Sequence, residues 1–185
     1  MGPNTSTPAA ETLQYLKQPY GELAWLINSH AVNQPDRIAL DDGEEQLTFA
    51  ETAALVNRIA AQLQAEGLQK GQAVCILGTT TIRYALVYLA AITAGGCAAP
   101  LTTSATSQQL AAMMTDSGAG HLFIDQIKRA ELVDSGVALP ALNQVMMDAP
   151  DESDGAPFLF DWMAAEGATP DEIKTCLLYT SDAAD

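Results

Sequence analysis

Basic residues are the scarcest class in this chain of 185 residues: 8 Lys and Arg stand against 23 Asp and Glu, a formal net charge of -15. A surface of that sign repels polyanions, which argues against nucleic acid or an anionic membrane face as a partner. Cysteine is nearly absent too. Of 3 cysteines, Cys75 and Cys97 sit in apolar runs without metal-ligand spacing, so a disulfide scaffold is excluded and reduced, buried thiols in a cytoplasmic protein are expected. The only histidines, His30 and His121, are far apart and have no Cys or carboxylate at ligand spacing. A zinc centre lacks support, and a surface or helix-cap role is expected for both. The most apolar run, Ile82 to Ala94, is too short for the ~20 residues of a membrane span. The amino end, "MGPNTSTPAAETLQYLK", has no basic region followed by an apolar core, so no secretory signal is read there.

Catalytic signatures are missing as well. Gly78-Thr79-Thr80-Thr81 lies between a strand-like and a helix-like run, where free amides and hydroxyls can hold a phosphate. It lacks the Lys and the glycine spacing of a P-loop, so a helix cap is expected. Gly118-Ala119-Gly120 precedes a strand, whereas a dinucleotide fingerprint comes after one, and is expected to be a helix stop. There is no Gly-x-Ser-x-Gly elbow. The clusters Asp41, Asp42, Glu44, Glu45 and Asp148, Asp151, Glu152, Asp154 break the EF-hand pattern and are expected to be solvated turns. By these residues alone the catalytic, cofactor-binding and metal-ligating sets are all empty.

What is present is an orderly alternation of helical and strand-like runs. After a leader with Pro3 and Pro8, Leu23, Leu26, Ile27 and Ala31 recur at helical spacing, and Pro35 halts the run. Arg37–Leu40 and Gln46–Phe49 predict a hairpin around Asp41-Asp42-Gly43. Thr48 and Glu51 form a capping box opening a helix that carries Leu55, Ile59 and Leu63 and stops at Gly67. Strands are then expected over Ala73–Leu77, Cys97–Leu101, His121–Asp125 and Asn143–Asp148. Helices are expected over Ile82–Ala94, over Ser107–Ser117 with Thr106 and Gln109 as a second capping box, and over Phe158–Glu166. An acidic loop, Asp148–Pro157, precedes the last. Continuously apolar strands joined by helices predict an α/β architecture, a doubly wound parallel sheet with helices on both faces.

Two segments add a family resemblance. "LTFAETAALVNRIAAQLQAEGLQKGQAVCIL", Leu47 to Leu77, resembles the first motif of adenylate-forming (AMP-binding) enzymes, where Leu-Thr-Tyr-x-Glu-Leu leads into a helix and a Gly-Asp-x-Val strand. Phe49, Thr52 and Gln72 depart from that pattern. "YLAAITAGGCAAPLTTSATSQQLAAMMTDSGAGHLFID", Tyr88 to Asp125, resembles the second, with Ala94-Gly95, Pro100-Leu101, Thr106, Leu110 and Asp116-Ser117-Gly118-Ala119 at matching places. The resemblance covers about Leu23 to Asp148. It implies a partial N-terminal subdomain whose phosphate-gripping loop, ribose-binding Asp and catalytic Lys would lie further along, so no site residue is carried over and the fragment itself is expected to be inactive.

For the parent protein the resemblance implies ATP, Mg²⁺ and a thiol, with a small-molecule carboxylic acid activated as an acyl-adenylate and then transferred. Thr93, Ala98 and Thr102 replace the Lys, Tyr and Asp that peptide-synthetase domains carry at the second motif, which favours an acid:CoA ligase (acyl-CoA synthetase) using CoA. A peptide-synthetase adenylation domain and a non-catalytic α/β binding module are the alternatives. The ending, "CLLYTSDAAD", read back into codons resembles a transposase adapter used for sequencing libraries. The expected organisation is therefore a flexible leader, 1–18, an incomplete α/β subdomain, 19–175, and a non-native tail, 176–185.

Overall fold

The computed structural model describes residues 23–148 and 156–171. The leader, the tail 176–185 and residues 149–155 of the acidic loop lie outside the described residues.

Chain order is α1 (Leu23–Asn33), β1 (Ile38–Asp41), β2 (Gln46–Thr48), α2 (Phe49–Ala65), β3 (Ala73–Leu77), α3 (Ile82–Thr93), β4 (Cys97–Pro100), α4 (Ser107–Ser117), β5 (His121–Ile124), α5 (Gln126–Ser135), β6 (Asn143–Met146) and α6 (Leu159–Trp162). β1 and β2 pair antiparallel. The other four strands form one parallel sheet in the order β4-β3-β5-β6, the doubly wound arrangement expected of apolar strands linked by helical crossovers.

Alternation along the strands divides the core in two. Val74, Ile76, Phe123 and Val145 turn to one face and pack with Val56, Ile59, Leu63, Leu86 and Ala90 from α2 and α3, and with Leu159 of α6. Cys75, Leu77, Leu122, Ile124 and Met146 turn to the other and meet Leu110, Met114 and Leu132 of α4 and α5. Both capping boxes form: Thr48 with Glu51, and Thr106 with Gln109. At the end of α2 the amide of Leu68 reaches back to the Leu63 carbonyl at 3.0 Å. Gly67 makes that closure with φ +85°, a conformation a Cβ would strain.

Two elements differ from expectation. α5 comes directly after β5, in a stretch the pattern left without a helix. Only Leu132 and Arg129 of it are buried, while Ile127 and Val133 are exposed, so its apolar stripe is too thin to register as helical periodicity. The last helix is four residues rather than the span to Glu166, because the Ala164 amide leaves the helix and donates to the Arg58 carbonyl of α2.

Candidate functional site

In an open parallel sheet the ligand crevice lies outside the carboxyl ends of the strands where the order reverses. Here that point falls between β3 and β5, because β4 lies on one side of β3 and β5 on the other. Gly78 to Thr81 leave β3 there, and Asp125 leaves β5. Asp125 is buried, and its carboxylate ties the two loops: Oδ2 accepts the Thr79 amide at 2.8 Å and the Thr79 hydroxyl at 3.3 Å. Oδ1 accepts the Lys128 amide at 2.8 Å and so caps α5.

The expected helix cap is found at the same loop. The Tyr84 amide donates to Thr81 Oγ1 at 3.4 Å, opening α3, and the Ile82 amide donates to Asp42 Oδ2 at 3.0 Å. Asp42 is therefore more than a solvated turn residue, since the hairpin carboxylate also caps a helix that starts 40 residues later. The amides of Ile82, Glu45 and Glu44 hold its carboxyl below the ordinary range. Asp148 acts alike and accepts the Gln126 amide at 3.0 Å, while Asp151, Glu152 and Asp154 lie outside the described residues. An anion at this crevice would find the Thr79 and Ile82 amides already engaged by Asp125 and Asp42.

A hollow of about 480 Å³ opens at the outer edge of β6, lined by Glu66, Arg129, Asn143, Gln144, Pro157 and Trp162 among others. Glu66 stands on one side as a hydrogen-bond hub. On the other, the buried Arg129 bonds Gln144 through Nη1.

His121 corrects the expected surface or cap role. It is 3% exposed, and its Nε2 lies 2.9 Å from Glu66 Oε2. His30 is half-buried and rests on the Phe49 ring, with centroids 4.8 Å apart. The two cysteines separate. Cys75 is buried as expected, and burial pushes its thiol up against a smaller opposing effect of the Ser117 hydroxyl. Cys97 is exposed, contrary to expectation, because β4 is an edge strand and an apolar run at an edge is covered on one flank only. Gly118 ends α4 before β5, the helix stop expected there. Among the described residues no three His, Cys, Asp or Glu side chains converge as metal ligands, and no helix is long and apolar enough to cross a membrane.

Pattern search missed Asp125, Glu66 and Arg129. Asp125 had a local signal, an N-cap residue with a Gly stop later at Gly136. Glu66 had none, since its partners His121 and Trp162 lie 55 and 96 residues away.

With this geometry the comparisons with known proteins agree. The sequence model described as AMP-binding enzyme matches residues 27–181. The chain belongs to the AMP-binding enzyme family. Relatives of this family member include malpibaldin synthetase of Mortierella alpina, 36% identical over 86 residues, which are 46% of this chain and 2% of that protein. Gramicidin S synthase 2 of Brevibacillus brevis is 29% identical over 111 residues, 60% of this chain and 2% of that protein. Among solved structures, the N-terminal domain of FACL13 from Mycobacterium tuberculosis superposes with a TM-score of 0.67 at 21% identity, covering 82% of this chain and 37% of that one. A benzoate CoA ligase from Burkholderia xenovorans LB400 gives 0.68 at 14% identity, covering 83% and 31%. At those identities the structural likeness carries the fold: an α/β parallel sheet matching the N-terminal subdomain of adenylate-forming enzymes. The chain spans a small part of each relative's length.

Proposed function

We propose that this chain is an N-terminal portion of a cytoplasmic, ATP-dependent acid:CoA ligase. In the reaction so assigned, a carboxylate oxygen of the substrate attacks the α-phosphorus of ATP and pyrophosphate leaves. A thiolate sulfur then attacks the acyl carbon and AMP leaves, so one P–O bond and one C–O bond break while an acyl-phosphate and then a thioester form. Of the switch-point amides, those of Thr79 and Ile82 are engaged by Asp125 and Asp42, and the loop has neither the Lys nor the glycine spacing of a P-loop. Binding and catalysis are therefore assigned to parts of the enzyme beyond these motifs.

The observation that carries the CoA branch is the second motif. Thr93 ends α3 with its hydroxyl folded onto the Leu89 carbonyl, Ala98 lies in β4, and Thr102 comes after β4 with its hydroxyl 2.9 Å from Ser104. These occupy the places of the peptide-synthetase Lys, Tyr and Asp. A second reading, a peptide-synthetase adenylation domain, is favoured by the likeness to malpibaldin synthetase and gramicidin S synthase 2, and in it the accepting thiol would be carried on a protein rather than on free CoA.

The full-length parent enzyme distinguishes them. Acid-dependent exchange of pyrophosphate into ATP tests the adenylation step, and AMP release with free CoA against release with a carrier protein tests the acceptor. Exchange with turnover only on a carrier protein favours the second reading, and absence of exchange with a broad acid panel overturns both. The present chain alone should give no exchange.

A further inference from the structure

One carboxylate joins four elements at the amino end of the sheet. Glu66 Oε1 accepts the Trp162 indole N–H of α6 at 2.7 Å and the Gln62 amide of α2 at 3.1 Å. Its Oε2 lies 2.9 Å from Nε2 of His121 on β5 and accepts from Asn143 Nδ2 of β6 at 3.3 Å. The indole also stands edge-on to Phe123, with centroids 5.3 Å apart, and to His121, at 6.4 Å. Beside this hub, Arg58 of α2 ties the chain just past α6, its Nε donating to the Ala164 carbonyl at 2.8 Å and its carbonyl accepting the Ala164 amide at 3.3 Å, and Arg83 lies over the Phe160 ring. α6 itself is a single turn, too short to persist alone, bridged to the sheet from Met146 to Phe158 and Pro157, and seated through the buried Leu159 and Met163 with Phe158, Phe160 and Trp162 against the core.

We propose that Glu66 is a charge-dependent latch: its ionised carboxylate docks α6 over the β5–β6 half of the sheet, and neutralising that carboxylate releases the segment while the sheet stays folded. The hub is built for an anion because its neighbours are donors. The indole N–H and the two amide NH₂ groups donate, and His121 donates through Nε2 in the tautomer that serves Glu66. A protonated Glu66 would present an O–H to those donors. His121 could accept that O–H through Nε2 only with its own proton on Nδ1, which is buried and has no hydrogen-bond partner, so the relief is costly. Among the described residues the titratable and charged groups that face the hub are His121 from β5 and, across the same hollow, Arg129 from α5. Burial pushes the Glu66 carboxyl up, and the Gln62, His121 and Trp162 donors together outweigh it and hold it below the ordinary value. Docking is thus complete above the usual Glu range and is lost as pH falls through the lowered value.

The chain has two tryptophans, Trp25 and Trp162, so a W25F background makes emission report on α6. In that background E66Q should red-shift Trp162 emission at neutral pH and speed amide exchange of Leu159–Met163 by about tenfold or more, as expected when a charged hydrogen bond is lost. Exchange in β3 and β5 should hold. Acidification of the unsubstituted hub should produce the same local change before far-UV circular dichroism falls. Unchanged emission and exchange in E66Q would overturn the latch, and so would equal loss of protection across β3 and β5, which would make Glu66 a general stabiliser. If E66Q does not fold, W162F, which keeps a ring and deletes the donor, decides by the same exchange: acceleration confined to Leu159–Met163 supports the latch, and its absence overturns it.

Discussion

A Cβ built on Gly78 would stand 2.7 Å from Asp125 Oδ2, closer than nonbonded carbon and oxygen come. That oxygen cannot yield easily, because the Thr79 amide and hydroxyl hold it and the Lys128 amide holds its twin. Gly78→Ala should therefore destabilise the chain by about 1–3 kcal/mol, the usual cost of overpacking. Asp125→Ala should cost about 1–2 kcal/mol as a lost helix cap. The two should not add: with the carboxylate gone the methyl finds space, so the double variant is more stable than the sum of the singles implies. Denaturant midpoints of the four proteins measure this, and strict additivity would show that Gly78 is not there for Asp125.

Acid sensitivity should come from three carboxylates. Amides hold Asp42 low, first that of Ile82, and the Thr48 amide and hydroxyl hold Glu51 low. Burial raises Glu66, but its donors prevail and lower it. Each folded value lies below its unfolded one, so each contributes stability present above the ordinary Asp and Glu range, near ~3.9 and ~4.3, and lost as pH falls through the lowered folded value. Urea midpoints should be flat from neutrality down to that range and then drop. In Glu51→Gln the drop should shrink, and an unchanged pH profile in that variant would remove Glu51 from the account.

How far the fold could be read in advance depended on how local each cause is. Thr48 with Glu51 and Thr106 with Gln109 act within one turn, and both boxes form where their spacing predicts. The four strand-like runs become the four parallel strands, and β3 and β5, buried along nearly their whole length, were the plainest of them. α5 escaped because its burial rests on Leu132 and Arg129 rather than on an apolar stripe. His121 and Cys97 were misjudged for the same kind of reason in opposite directions. Glu66, 55 residues away, gives His121 its buried partner, and edge position, a property of sheet order rather than of the run itself, exposes Cys97.

The thiols should report this difference directly. Cys97 is exposed, whereas Cys75 is fully buried with its thiol pushed up by burial. Reactivity depends on thiolate fraction and access together. A maleimide pulse on the native chain, with peptide mapping afterwards, should label Cys97 and leave Cys75 unmodified until denaturant is added. Equal labelling of both would mean that β3 opens readily, contrary to its place in the middle of the sheet.

The parent gene beyond Thr175 tests the ligase proposal at the point where its chemistry should begin. The strands from β3 to β6, the acidic loop and α6 use up the early elements of an N-terminal subdomain, and no Ser/Thr/Gly-rich loop ending in Lys lies among them. The next stretch of the parent chain should hold a Ser/Thr/Gly-rich loop ending in Lys, of the form Ser-Gly-Thr-Thr-Gly-x-Pro-Lys, within roughly a few tens of residues, because closing backbone amides around phosphate oxygens needs glycine and the added charge needs a cation. Amplifying the parent genome across Thr175 reads it. The same product decides whether Cys176 to Ser181, which the family match includes, belong to the parent or to an adapter. An in-frame stop, or an open frame that continues without such a loop, would sink the ligase proposal while leaving the fold intact.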